Sequence, residues 1–166
     1  MRVAAQIDVN TEPDAIWAFI DDPGRYLHFM SGITRWEVVG DQAGGLGARY
    51  RMLMRVGSAE VGGLIEVVEH TPGCDMAWVS VVGIDQRGRW RLRARGTPEA
   101  PRTRVELRLS YGVAGSGIFG WVAEHVAART VRGHLRRSLH QLKRQVEHEH
   151  SRRKAAARRE ARSRAA

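Results

Sequence analysis

Arg89-Trp90-Arg91-Leu92-Arg93-Ala94-Arg95 alternates basic and apolar side chains along its whole length. Successive side chains of a strand point to opposite faces, so this stretch predicts a strand with a dry face (Trp90, Leu92) and a wet face of four arginines. The same period of two extends on both sides. Downstream, a turn over 96–103 leads into Arg104-Val105-Glu106-Leu107-Arg108-Leu109. Upstream lie apolar-alternating runs at 76–82, at 59–69 (closed by Thr71-Pro72-Gly73), at 48–55 and at 36–39, ahead of a turn over 40–47. Six strands at hairpin spacing predict an antiparallel meander with one apolar face. That face carries Tyr50, Met52, Met54, Ile65, Val67, Met76, Trp78, Ser80, Trp90, Leu92, Leu107, Leu109 and Tyr111.

The flanks supply the remaining elements. Val3, Ala5, Ile7 and Val9 alternate with Arg2, Ala4, Gln6 and Asp8, which predicts a half-buried first strand. Asn10-Thr11-Glu12-Pro13-Asp14 then reads as a helix start, with Pro in the first turn and acids at the positive end of the dipole. The helix over 15–20 stops at Asp21-Asp22-Pro23-Gly24, and a second short helical piece presents Tyr26, Phe29 and Met30. After the sheet, the glycine-rich stretch 112–120 leads into a long helix over about 118–150, about 48 Å in length. It is the one element large enough to cover the apolar face. The class is α+β.

That helix carries two apolar stripes. Ile118, Phe119, Val122 and Val126 share one sector of the wheel, while Val131, Leu135, Leu139, Leu142 and Val146 share another on roughly the opposite side. A straight helix cannot lay both on one sheet. Either the helix bends or breaks between Ala127 and Gly133, or one stripe packs on something else such as a second subunit; the break is the favoured expectation, with the first stripe as a movable gate and the second as the fixed lid. Glycine weakens a helix interior by about 1 kcal/mol relative to alanine, which makes Gly133 a natural weak point.

Composition narrows the function. The 166 residues fit one domain, and 43% hydrophobic with 27% charged residues is an ordinary globular balance. The single cysteine, Cys74, rules out an internal disulfide framework. The longest uncharged run, 109–123, holds four glycines and is too short to span a bilayer. The opening MRVAAQIDVN has no apolar signal core, so a soluble cytoplasmic protein is expected. The net charge of +9 divides unevenly. Residues 151–166 hold seven Lys/Arg (Arg152, Arg153, Lys154, Arg158, Arg159, Arg162, Arg164) against Glu160, leaving +3 for residues 1–150. This tail has basic residues all round a helical wheel and only alanine as apolar filler, which excludes a membrane-inserting amphipathic helix. It reads as a loose polycation for nucleic acid or anionic membrane surfaces, or as a solubilising end. Two functional regions follow: 1–149 as a globular domain and 150–166 as a basic Arg/Ala-rich tail.

Several segments, taken in order, resemble the START/Bet v 1-like helix-grip (SRPBCC) superfamily, in its polyketide cyclase/dehydrase-type branch. They are Val9-Asn10-Thr11-Glu12-Pro13-Asp14-Ala15-Ile16-Trp17, Asp22-Pro23-Gly24-Arg25-Tyr26, Leu46-Gly47-Ala48-Arg49-Tyr50-Arg51, Glu66-Val67-Val68-Glu69-His70-Thr71-Pro72 with Met76-Ala77-Trp78, and the final-helix run 139–147. The resemblance implies a seven-stranded antiparallel sheet in the order β-α-α-β6-α, wrapped around the C-terminal helix, with an apolar cavity between them. It also implies a hydrophobic, lipid-like or polyketide-like ligand, held by a binder or carrier, or turned over by a cyclase or dehydratase. Another branch of the superfamily suggests an RNA- or ribosome-associated protein using the tail. The expected ligand-binding residues are Tyr26, Phe29, Tyr50, Met52, Met54, Ile65, Trp78, Trp90, Leu92, Leu107, Leu109, Phe119 and Val122.

The chemistry is sparser. Family cyclases use an Arg and a Ser near the end of the fourth strand and a Tyr before the second. The matching positions here are His70, Val68 and Ile33, and neither Val nor Ile transfers a proton, so an aromatase-type site is not expected. Glu69, His70, Tyr50, Ser80 and Tyr111 are the available acid/base groups, each better read as a hydrogen-bonded strand-end or rim residue. Gly115-Ser116-Gly117-Ile118-Phe119-Gly120 spells a dinucleotide fingerprint, but no parallel strand with a terminal acid follows it. No histidine or acid spacing points to a metal, and no cofactor is expected. Monomer and homodimer are both compatible with the sequence.

Overall fold

The computed structural model describes residues 1–112 and 118–164, and side chains of the last helix from residue 128 onward. The element order is β1 (Arg2–Val9), α1 (Pro13–Ile20), a 3-10 turn (Pro23–Arg25), α2 (Tyr26–Phe29), β2 (Ile33–Val39), β3 (Arg49–Val56), β4 (Ala59–Thr71), β5 (Asp75–Gly83), β6 (Gln86–Gly96), β7 (Pro101–Tyr111) and α3 (Ile118–Arg164). The strands form one antiparallel sheet, ordered β1-β7-β6-β5-β4-β3-β2. This is the expected helix-grip α+β fold.

Local chemistry places the turns. Pro13 opens α1 with Asp14 in its first turn. The Asp22 carboxylate accepts the Gly24 amide at 2.9 Å and so closes the turn that aims α2 at the sheet. Within the sheet, Trp78 of β5 stands opposite Gly88 of β6. A Cβ on Gly88 would fall 1.9 Å from the Trp78 ring, so the missing side chain is what lets the indole lie flat across the strand.

The two sheet faces separate as the alternation requires. Every residue expected on the apolar face is buried or half-buried. On the outer face several arginines are paired across strands. Arg91 Nε and Arg93 Nη2 donate to Asp75 at 2.9 and 3.0 Å, Arg89 pairs with Glu69, and Arg104 Nε donates to Asp8 at 2.9 Å. Burial alone would raise the Asp75 carboxyl, but the Arg91 and Arg93 guanidiniums hold it below its usual range.

Helix α3 lays Val131, Leu135, Leu139, Leu142 and Val146, each at most 3% exposed, into the core. Polar contacts fix its seat. Lys143 Nζ donates to the Asp8 carbonyl at 2.8 Å, the Asn10 amide donates to Glu147 at 2.9 Å, and Gln145 donates to the His28 carbonyl at 2.9 Å. Two expectations are corrected. The helix runs unbroken through Gly133, so the break expected between Ala127 and Gly133 is absent. It also runs past His150 to Arg164, 47 residues and about 70 Å in all, so the tail is helical and not a loose chain. Ala, Arg, Glu and Lys are strong helix formers, and a tail that continues a packed helix needs no nucleus of its own. The first stripe's side chains, with the gate and the ligand-binding positions Phe119 and Val122, lie outside the described residues, as does most of the glycine-rich segment.

Candidate functional site: a cavity at one end of the sheet

The space between sheet and helix is filled at one end and hollow at the other. At the filled end, α2 inserts Tyr26 and Phe29. Tyr26 stacks on Trp36 at 4.1 Å, Trp36 on Tyr50 at 5.1 Å, and Phe29 meets Trp90 edge-on at 6.2 Å. Burial pushes the Tyr26 phenol well above its ordinary pKa.

At the other end lies a cavity of about 710 Å³. That is the size of a small-molecule site. Among the described residues its walls are Met52, Met54 and Val56 of β3, Val61 and Gly62 of β4, Gly83 of β5, Ile84, Asp85 and Gln86 at the β5–β6 turn, Leu109, Tyr111 and Gly112, and Val131 of α3. Glycines make the room. Gly63 pairs with both Met52 and Gly83, and a Cβ on Gly63 would sit 1.9 Å from the Val82 carbonyl oxygen. The strands approach too closely there for side chains, the sheet curls, and no side chain from Gly62 or Gly83 fills the inside of the curl.

The polar groups at this cavity are few. Asp85 is exposed at the rim. The Tyr111 hydroxyl donates to the Met1 sulfur at 3.5 Å. Gln86 is 6% exposed and lies on the inward face of β6 with Gly88, Trp90 and Leu92. Its amide donates to Ser80 Oγ at 3.1 Å, and its side-chain Nε2 is buried with no hydrogen-bond partner among the described residues.

The residues expected at a ligand site divide accordingly. Met52, Met54 and Leu109 line the cavity. Tyr26, Phe29, Tyr50, Ile65, Trp78, Trp90, Leu92 and Leu107 are buried core beside or beyond it and are not part of its wall. The acid/base candidates do not converge. Glu69 faces outward onto Arg89, while His70 Nε2 lies 2.7 Å from Asp21 Oδ1 with its ring against Trp17. Tyr50 donates to the Ala43 carbonyl at 3.0 Å, its phenol raised by burial and by the nearby Asp21 charge. Ser80 is occupied by the Gln86 amide, and of the five only Tyr111 reaches the cavity wall. Of the positions matched to the family's catalytic set, His70 is held by Asp21, Val68 is exposed, and Ile33 sits beside Met54.

Sequence reasoning misses Gln86. Gly88 interrupts the pattern of large apolar residues, so the alternation reads as starting at Arg89. Carrying the period of two back from Trp90 through Gly88 puts Gln86 on the inward face. Val56 and Val61 are missed because they sit at strand ends, next to the Gly57 turn. The dinucleotide reading has no support in the topology: α3 follows an antiparallel strand, and every strand pairing among the described residues is antiparallel. No group of three or more His, Cys, Asp or Glu among the described residues could hold a metal ion, and no helix there is long and apolar enough to cross a membrane.

Known structures share this architecture. The chain superposes on the TTHA0849 protein of Thermus thermophilus with a TM-score of 0.75 at 20% identity, covering 90% of this chain and 99% of that one. It superposes on the ZhuI aromatase/cyclase of Streptomyces sp. R1128 with a TM-score of 0.70 at 17% identity, covering 89% and 93%. These likenesses are of fold. Among curated proteins none matches the sequence. Residues 1–147 match the family described as polyketide cyclase/dehydrase and lipid transport, a span that closes on Glu147, the acceptor of the Asn10 amide. The curled sheet, the hollow end and the sequence match agree, and the chain belongs to the polyketide cyclase/dehydrase and lipid transport family.

Proposed function

We propose that the domain over 1–149 is a binder or carrier of a hydrophobic small molecule, lipid-like or polyketide-like, held in the cavity between the curled sheet and α3. The observation that carries this reading is the cavity itself, about 710 Å³ and walled mainly by Met, Val and Leu side chains. Methionine thioethers are flexible and polarisable, and Met52 and Met54 side by side suit ligands of varied outline. A cyclase would need converging acid/base groups, and Glu69, His70, Tyr50 and Ser80 are engaged elsewhere. That placement favours carriage over turnover.

Titration with N-phenylnaphthylamine, whose fluorescence rises in apolar surroundings, tests the reading. Val61 is half-buried on the cavity wall, so Val61→Glu leaves the fold intact while placing a charge in the binding space. The expected result is saturable binding by the wild type, weakened on the order of tenfold by Val61→Glu, since an unpaired charge is costly beside an apolar ligand. Cyclised or dehydrated product from a poly-β-ketone substrate would replace carriage with catalysis.

The basic helix is a separate functional unit. Its residues 151–164 are exposed throughout, and its seven basic side chains point in all directions. We propose that it contacts phosphate-rich polyanions by charge alone, with the steep salt dependence such contacts have.

A further inference from the structure

We propose that Gln86 is the polar anchor of the cavity, donating a hydrogen bond from its side-chain Nε2 to an acceptor oxygen on a ligand that is otherwise apolar. The inference rests on the binder reading above and adds the chemistry of the ligand to it. Gln86 is the first residue of β6 and faces inward in register with Trp90 and Leu92, directly across from Tyr111. It lines the hollow end beside Met52, Met54 and Leu109 and is 6% exposed. Its backbone amide is satisfied by Ser80 Oγ, which fixes the strand end, yet its buried Nε2 has no partner among the described residues.

A buried amide donor without a partner is costly, and leucine or methionine would fill the same volume without that cost. The other buried side-chain polar atoms without a partner among the described residues are four indole nitrogens, the Tyr26 hydroxyl and His150 Nε2, all of them on rings that pack for their own area. Gln86 has no ring to justify it. A carboxamide in an apolar wall selects a ligand that brings an oxygen to it, because a ligand lacking one leaves the donor unpaired. The geometry therefore points to a carbonyl- or hydroxyl-bearing hydrophobe over a plain hydrocarbon.

Fluorenone and fluorene have the same ring frame and differ by the ketone oxygen. Calorimetric titration of the full chain with each compares ligands of equal shape. A hydrogen bond to a neutral group is worth about 1 kcal/mol net, so the wild type binds fluorenone roughly three- to tenfold more tightly than fluorene. In Gln86→Leu the preference disappears: fluorenone falls to the level of fluorene, fluorene binding is kept, and the melting temperature of the free protein holds or rises. Gln86→Met gives the same pattern, which guards against a packing fault specific to leucine. A preference that survives both substitutions, or a wild type that binds both probes equally, overturns the anchor and leaves the binder reading standing. A wild type that binds neither probe overturns the binder reading and the anchor with it. A marked fall in melting temperature in both variants would show that Gln86 serves the fold and not the ligand.

Discussion

Gly88 and His134 show how single residues set the terms of this fold. The Trp78 ring occupies the space a Gly88 side chain would need, with 1.9 Å between the ring and a built Cβ. Gly88→Ala must push the indole toward the cavity or open the β5–β6 pairing. It should lower stability by about 1–3 kcal/mol, read from chemical denaturation. His134 stands where α3 meets the α2–β2 connection. Its Nδ1 lies 3.0 Å from Arg137 Nη2 and 3.2 Å from Ser31 Oγ. Burial depresses its pKa below 6.5, and the Arg137 charge adds to the fall. Below pH 6.5 the unfolded chain then holds the proton more readily than the folded one, so acid favours unfolding. The His134 contribution is whole above that value and is lost as the pH falls toward the depressed one. Melting temperature should drop between about pH 7.5 and about pH 5.5, and drop less in His134→Gln. Equal drops in the two proteins would assign the acid sensitivity elsewhere.

Helix α3 joins two segments held by different forces. From Val131 to Val146 it is held by burial, and truncating Leu139, 1% exposed, to alanine should cost about 2–5 kcal/mol. From Ser151 onward nothing described is buried, and helicity comes from residue propensity and from the packed turns before it. Deleting residues 151–166 should leave the melting temperature within about 2 °C and remove salt-sensitive retention on heparin. Retention that survives deletion would assign the polyanion contact to the arginines of the outer sheet face. The apolar stripe over 131–146 was legible in the sequence because burial imposes a period. The helical tail was not, since a segment that buries nothing carries no period to read. The expected break failed for a related reason. Gly133 costs about 1 kcal/mol, less than the packing of the turns after it restores.

At the scale of the molecule, one sheet curls around one helix, and an asymmetry in filling gives it a site. The strands of the meander and their inward face were written in the alternation of residues such as Trp90, Leu92, Leu107 and Leu109, whereas the seat of β1 beside β7 was not. The position of the cavity was not. Tyr26 and Phe29 read as apolar residues of a short helix, and only packing shows that they fill the end of the sheet near Trp36. Gly63 and Gly83 are far apart in the chain until strand register brings them together opposite Met52. The methionines turn this asymmetry into a measurement. Met52 and Met54 line the cavity, while Met30 and Met76 are buried at 7% and 5% exposure away from its wall. Methyl NMR of methionine-labelled protein during titration with fluorenone reads these four at once. A ligand held in the cavity gives large, saturable shifts at Met52 and Met54, with Met30 and Met76 nearly still. Shifts centred on Met30 and Met76, or none at any methionine at saturating probe, would contradict it.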